Sequence, residues 1–142
     1  MSPLVRTLNT DEDILAARRV MRQLRPQIAE DAYLATVSRM MQHDGYLQAA
    51  VFEGDAVVAV AGYRFMETLF AGKTLYVDDL NTDDTRRSRG HGKTLMDWLK
   101  REARERGCVQ LQLDSGVQRE QTHRFYFREG LTINCYHFRI DL

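Results

Sequence analysis

Apolar residues recur along this chain with two periods, and the switches between them divide it into strands and helices. Leu4 to Leu8 reads as a first strand. Ile14, Ala17, Met21 and Leu24 then fall at helical spacing behind Thr10-Asp11-Glu12-Asp13, a capping residue followed by acids that suit a helix N-terminus. Pro26 ends that helix, since proline has no N–H to continue it. A second helix is predicted from about Ala29 to Met41, with Tyr33, Leu34, Val37, Met40 and Met41 on one face as core or pocket wall. Tyr46 to Glu53 reads as a strand, Glu53-Gly54-Asp55-Ala56 as a hairpin signal, and Ala56 to Phe65 as the return strand. Val57, Val58, Val60 and Ala61 are nearly continuous, which places that strand between two covered faces. Gly72 marks the next turn, and Lys73 to Thr82 the next strand. Leu95, Met96, Leu99 and Ala103 then predict an amphipathic helix over Lys93 to Arg106, capped by Gly107. Val109 to Leu113 is a further strand, Arg119 to Glu129 a short helix stopped by Gly130, and Cys135 to Ile140 a closing strand. The sum is a mixed α/β domain spanning 1–142, with six or seven strands and about four helices.

Composition narrows the function classes. Twenty basic and twenty acidic residues cancel, so bulk charge supports neither a nucleic-acid partner nor a membrane surface. No apolar run reaches the ~20 residues that span a bilayer, and Met1 to Thr10 lacks a signal-peptide core, so the expectation is a cytoplasmic protein. Cys108 and Cys135 lie far apart, and His43, His91, His123 and His137 are scattered, so no metal site is expected.

The candidate chemistry gathers around Arg87-Ser88-Arg89-Gly90-His91-Gly92, between a strand and a helix. Two glycines allow a tight turn that brings bare N–H groups to a ligand, and the helix points its positive dipole end at the same place. That combination suits a phosphate or diphosphate. Gly92-Lys93-Thr94 has the ending of a P-loop, but Arg87 stands where that motif needs its first glycine, which disfavours an NTPase. A solvated turn with two convenient glycines is the plain alternative.

Arg87-x-x-Gly90-x-Gly92, followed some thirty residues later by Phe125-Tyr126-x-x-x-Gly130-Leu131, resembles the GNAT superfamily of N-acetyltransferases, small bacterial members in particular. The likeness covers nearly the whole chain in element order, with its specific motifs between about Asp78 and Leu131. It implies a GNAT-like fold with a central, mostly antiparallel mixed sheet, acetyl-CoA as donor, and a primary amine of a small molecule or peptide as acceptor. It also leaves room for a homodimer. Four positions depart from the family pattern: Thr82 for valine, Asp84 for proline, Arg119 for an asparagine that contacts the cofactor, and Leu131 for phenylalanine.

The resemblance also implies roles. The amides of Ser88, Arg89, Gly90, His91, Gly92, Lys93 and Thr94 would hold the diphosphate, with charge added by Arg87 and Arg89. The strand end Leu80-Asn81-Thr82 would pair with pantetheine, and a backbone N–H there would support the thioester carbonyl as charge develops on it. A lysine-like amine of pKa ~10.4 is neutral in about one molecule in 2,500 at pH 7, a cost of roughly 4.6 kcal/mol, so a base would help. Asp78 and Asp79 are the candidates. As strand neighbours they are expected on opposite faces, Asp78 with Tyr76 and Leu80, and Asp78 is the favoured base; the plain alternative is an acid that binds a cation beside one paired with arginine. Tyr126 is placed by the family beside the CoA sulfur as general acid, with a core tyrosine as the plain reading. A phenol near pKa 10 facing a thiol near 8.5 is uphill by about 2 kcal/mol for full transfer, so strong hydrogen bonding to the forming thiolate is the expected form of help. The competing function is a non-catalytic CoA or acyl-CoA sensor. The acceptor stays open among peptide N-termini, lysines, polyamines, amino acids and aminophosphonates.

Overall fold

The computed structural model describes residues 3–142, which group into two compact units divided after Gln112. Five strands form one mixed sheet in the order β1 (Leu4–Thr7), β2 (Leu47–Glu53), β3 (Ala56–Thr68), β4 (Gly72–Thr82) and β5 (Gln110–Leu113). The first three pairings are antiparallel, as short connections between β2, β3 and β4 require. The return from β4 to β5 runs through α4 (His91–Glu105).

In the first unit the Thr10 hydroxyl accepts from the Asp13 N–H at 3.1 Å, the expected cap. The helix it starts is broken at Ala17 into α1 (Asp11–Ala16) and α2 (Arg18–Leu24), so the two predicted N-terminal helices become three with α3 (Tyr33–Asp44). Every residue from Val57 to Tyr63 of β3 is buried, which is the double coverage its apolar run demands. Ile14, Val20, Met21, Tyr33 and Val37 from the N-terminal helices join Tyr46, Ala50, Phe52 and Val60 in one core cluster. Leu95, Met96 and Leu99 of α4 are also fully buried, each contributing roughly 1.5–3 kcal/mol of apolar burial.

The second unit carries α5 (Glu120–Arg128), which ends at Gly130 as the sequence indicates. The closing strand over Cys135 to Ile140 is absent: five strands are found among the described residues, not six or seven, and 131–142 has no regular structure. Alternation alone does not make a strand, because a strand exists through the ladder it shares with a neighbour.

Candidate active site

The loop between β4 and α4 is anchored from below. Asp83 is buried and accepts from Arg19 Nη2 at 2.6 Å, from Gln23 Nε2 at 3.2 Å and from the Thr85 N–H at 3.2 Å. Its own N–H donates to the Val58 carbonyl at 2.9 Å. A one-turn 3₁₀ segment, Asp84–Arg86, leads from there into the exposed residues Arg87 to Gly90. Ser88 and Gly90 both sit in the left-handed region, at φ +65° and +82°. Two such residues flanking Arg89 turn successive backbone N–H groups toward one side, the arrangement of an anion-binding nest. The first helical bond of α4 runs from the Thr94 N–H to the Gly90 carbonyl at 3.0 Å. The N–H groups of His91, Gly92 and Lys93 therefore precede the ladder, at the positive end of a fifteen-residue helix. These donors fit a diphosphate.

The side chains of the loop are placed less uniformly than its backbone. Arg87 is exposed and pairs with Asp84 at 2.6 Å. Arg89 is exposed, and Lys93 lies 3.3 Å from Asp97. His91 points inward, only 4% exposed, with Nε2 at 3.0 Å from Glu53 Oε1, so it can offer a ligand its N–H but not its ring. The Thr94 hydroxyl donates to the Gly90 carbonyl at 3.0 Å and closes the first turn. On the strand end, Leu80 and Thr82 are half-buried, while the Asn81 amide donates to the Val20 carbonyl at 2.9 Å. Asn81 thus ties β4 to α2 through its side chain and has only backbone to offer a ligand.

The register between β3 and β4 shifts at Gly62: Gly62 faces Asp79 and Tyr63 faces Val77, which leaves Asp78 as the extra residue of a bulge. The bulge breaks the strict alternation that would set Asp78 and Asp79 on opposite faces. Asp78 is held by a two-pronged contact with Arg64, at 3.0 and 2.5 Å. Asp79 accepts from Arg25 Nε at 2.8 Å and from the Tyr46 hydroxyl at 2.7 Å. Arg64 lies over the Tyr46 ring, 5.7 Å from its centre, so both carboxylates are linked through Tyr46. Arg25 Nη2 also donates to the Asp78 carbonyl at 2.8 Å, tying the bulge to the end of α2.

Behind Tyr46 the network continues. The Gln48 amide donates to the hydroxyls of Tyr33 at 3.2 Å and Tyr46 at 3.3 Å, and its Oε1 is buried without a partner. Burial and the charge of Asp79 push the Tyr46 phenol well above its ordinary pKa, so it stays a proton donor at neutral pH. The hydrogen bond to Asp78 likewise strengthens the hold of Arg64 on its proton. Sequence reasoning passed over Arg25, Tyr46, Gln48 and Arg64. The available signal was Gln48, a polar residue inside a strand that otherwise reads as buried.

In the second unit, Tyr126 is buried on α5 and meets Phe125 edge-on at 5.6 Å between ring centres. Arg119 forms the N-cap of α5, its N–H donating to the Gly116 carbonyl at 3.1 Å. The described residues contain no group of three metal-ligating side chains, and no helix among them is long and apolar enough to cross a membrane.

Comparison with known proteins agrees with this architecture. The model of the acetyltransferase (GNAT) family matches residues 11–130. An uncharacterized N-acetyltransferase, YhdJ, from Bacillus subtilis (strain 168) is 32% identical over 136 residues, covering 95% of this chain and 96% of that protein. A transcriptional regulator from Bacillus halodurans C-125 superposes with a TM-score of 0.87 at 19% identity, over 99% of this chain and all of that one. An aminoglycoside N-acetyltransferase, AAC(6')-Iy, solved in complex with CoA, superposes with a TM-score of 0.82 at 17% identity, over 99% and 96% of the two chains. At such identities the solved structures are alike in fold.

Proposed function

The chain belongs to the GNAT acetyltransferase family, and from that premise we propose that its 142 residues serve as one domain moving an acetyl group from acetyl-CoA directly to a primary amine. The observation that carries the reading is the pair of left-handed residues, Ser88 and Gly90, leading into the N-terminal turn of α4. A diphosphate bridged to a long organic chain suits that backbone cradle, and the CoA bound to AAC(6')-Iy is a ligand of that chemistry. Arg87 and Arg89 add positive charge, and the backbone of Leu80, Asn81 and Thr82 offers pairing groups to pantetheine. Arg119 takes the position from which family members contact the cofactor.

In this reading Asp79 serves the amine better than Asp78. Both carboxylates have both oxygens engaged, but Asp78 meets only the Arg64 guanidinium, whereas Asp79 gives one oxygen to Arg25 and the other to the Tyr46 hydroxyl, a group that can pass a proton on. Tyr126 stabilises the departing thiolate by hydrogen bonding, the role its position in the family motif implies. The protein works in the cytoplasm on a small molecule or peptide, without nucleic acid, membrane or metal.

The second reading, an acyl-CoA sensor without turnover, draws support from the engagement of both carboxylates in ion pairs. Calorimetric titration with CoA, followed by thiol release from acetyl-CoA across an amine library, separates the two. Micromolar CoA binding that weakens at least tenfold in Gly90→Val, with turnover on some amine, is the expected result. Binding without turnover on any amine selects the sensor, and no binding of CoA removes both.

A further inference from the structure

One carboxylate oxygen meets both ends of the loop that carries the nest. Glu53 closes β2 opposite Ala56, beside the turn at Gly54. Its Oε1 accepts from Arg86 Nη1 at 3.1 Å and lies 3.0 Å from His91 Nε2. Arg86 is the last residue of the 3₁₀ segment, and His91 the first of α4. Ser88 and Gly90, the two left-handed residues, lie between these contacts. The His91 ring is buried and its Nε2 makes no aligned hydrogen bond, so its polar edge depends on this carboxylate for compensation.

We propose that Glu53 is a positioning residue for the cofactor: by holding Arg86 and His91 at a single oxygen, it fixes the backbone between them in the form that takes a diphosphate. The inference rests on the reading that this loop binds the diphosphate of CoA. Ser88 lacks the freedom of glycine, yet stands at φ +65°. Such a conformation persists only where the surroundings impose it. Residues 87–90 are exposed, so packing does not impose it; fixed ends do. The Asp83 N–H on the Val58 carbonyl adds a third tie to the same β2–β3 hairpin. A loop fixed in advance avoids the cost of being ordered when its ligand arrives.

Charge and positioning predict opposite signs. Glu53 is an acid close to an anion site, and it occupies a guanidinium that could otherwise face the ligand. On Coulombic grounds alone, its removal would tighten the binding of a diphosphate. A positioning role predicts weaker binding instead.

Calorimetric titration of the parent protein, Glu53→Ala and Glu53→Gln with CoA tests this. Glu53→Ala should weaken binding about tenfold, because ordering the loop then falls on the binding step. Glu53→Gln keeps the shape and one accepting oxygen, and should weaken it about threefold. In turnover, acetyl-CoA KM should rise by the same factors, while kcat at saturating acetyl-CoA and the amine KM stay within about twofold. Unchanged or tighter CoA binding in Glu53→Ala overturns the proposal. So does a loss of kcat as large as the rise in KM, which would mark general damage to the fold. Should Glu53→Ala fail to fold, the sign of the change in Glu53→Gln decides. A parent protein that binds no CoA removes the diphosphate reading and the role of Glu53 together, whereas equal binding by parent and variants refutes the role of Glu53 alone.

Discussion

The Tyr46 hydroxyl donates to Asp79 Oδ2 at 2.7 Å directly above the backbone of Gly62. A Cβ on Gly62 would overlap both the hydroxyl and the carboxylate. The glycine is therefore required by close approach and not by backbone angle, and it sits where β3 meets the bulge of β4. Gly62→Ala should destabilise the fold by about 1–3 kcal/mol through overpacking, read from urea denaturation. It should also displace Asp79, so amine KM or kcat changes even in conditions where the variant is fully folded. A variant with parental stability and kinetics would show that this contact tolerates a methyl group and that Asp79 is not held by it.

The two aspartates differ in what they can do, and kinetics can rank them. Asp79→Asn keeps a hydrogen-bond acceptor for Tyr46 but removes the proton-accepting charge, and should lower kcat about 10²-fold. Asp78→Asn loosens Arg64 without touching the Tyr46 hydroxyl bond, and should cost under about tenfold by the same scale. Acetyl-CoA KM should barely move in either. The opposite ranking would return the base role to Asp78, as the family resemblance suggested.

That difference shows where the sequence was legible. Element order, the Thr10 cap, the doubly covered β3 and the buried face of α4 all follow from periodicity and capping chemistry, which are local properties. The bulge at Asp78 is not local: it depends on how β3 and β4 slide past each other at Gly62. Its consequence, that Asp79 meets the Tyr46 hydroxyl while Asp78 is linked to the same ring through Arg64, was hidden for the same reason. The inward turn of His91 toward Glu53 is likewise a tertiary contact across thirty-eight positions of sequence, invisible to any window along the chain. The segment 135–140 misled in the other direction: its alternation is real, but no strand is formed there among the described residues.

Tyr126 provides a separate test of the acid. Tyr126→Phe removes one hydroxyl and retains the ring that packs on Phe125. The expected loss is about 10²-fold in kcat, with CoA affinity unchanged by calorimetry. Full activity on a true acceptor would take Tyr126 out of the chemistry and leave it as a core residue.

Asp83 gives a prediction about stability with pH. The hydrogen bond from Arg19, opposed by burial and reinforced by the Thr85 N–H and the Gln23 amide, holds its carboxyl far below the ordinary value near 3.8. The folded state therefore releases this proton more readily than the unfolded chain, and between the two pKa values the unfolded chain binds more protons. Stability contributed by Asp83 is complete above the unfolded value and declines as pH falls below about 4 toward the folded one. Arg19 is largely solvent-exposed, which reduces the worth of the pair. Asp83→Asn should thus cost about 1–2 kcal/mol at pH 7, and the gap from the parent protein should narrow steadily between pH 4 and pH 2. Paired urea titrations across that range measure it directly. A gap independent of pH would mean that Asp83 supports the loop through its shape and neutral hydrogen bonds alone, and that its charge contributes nothing to holding the turn that leads into α4.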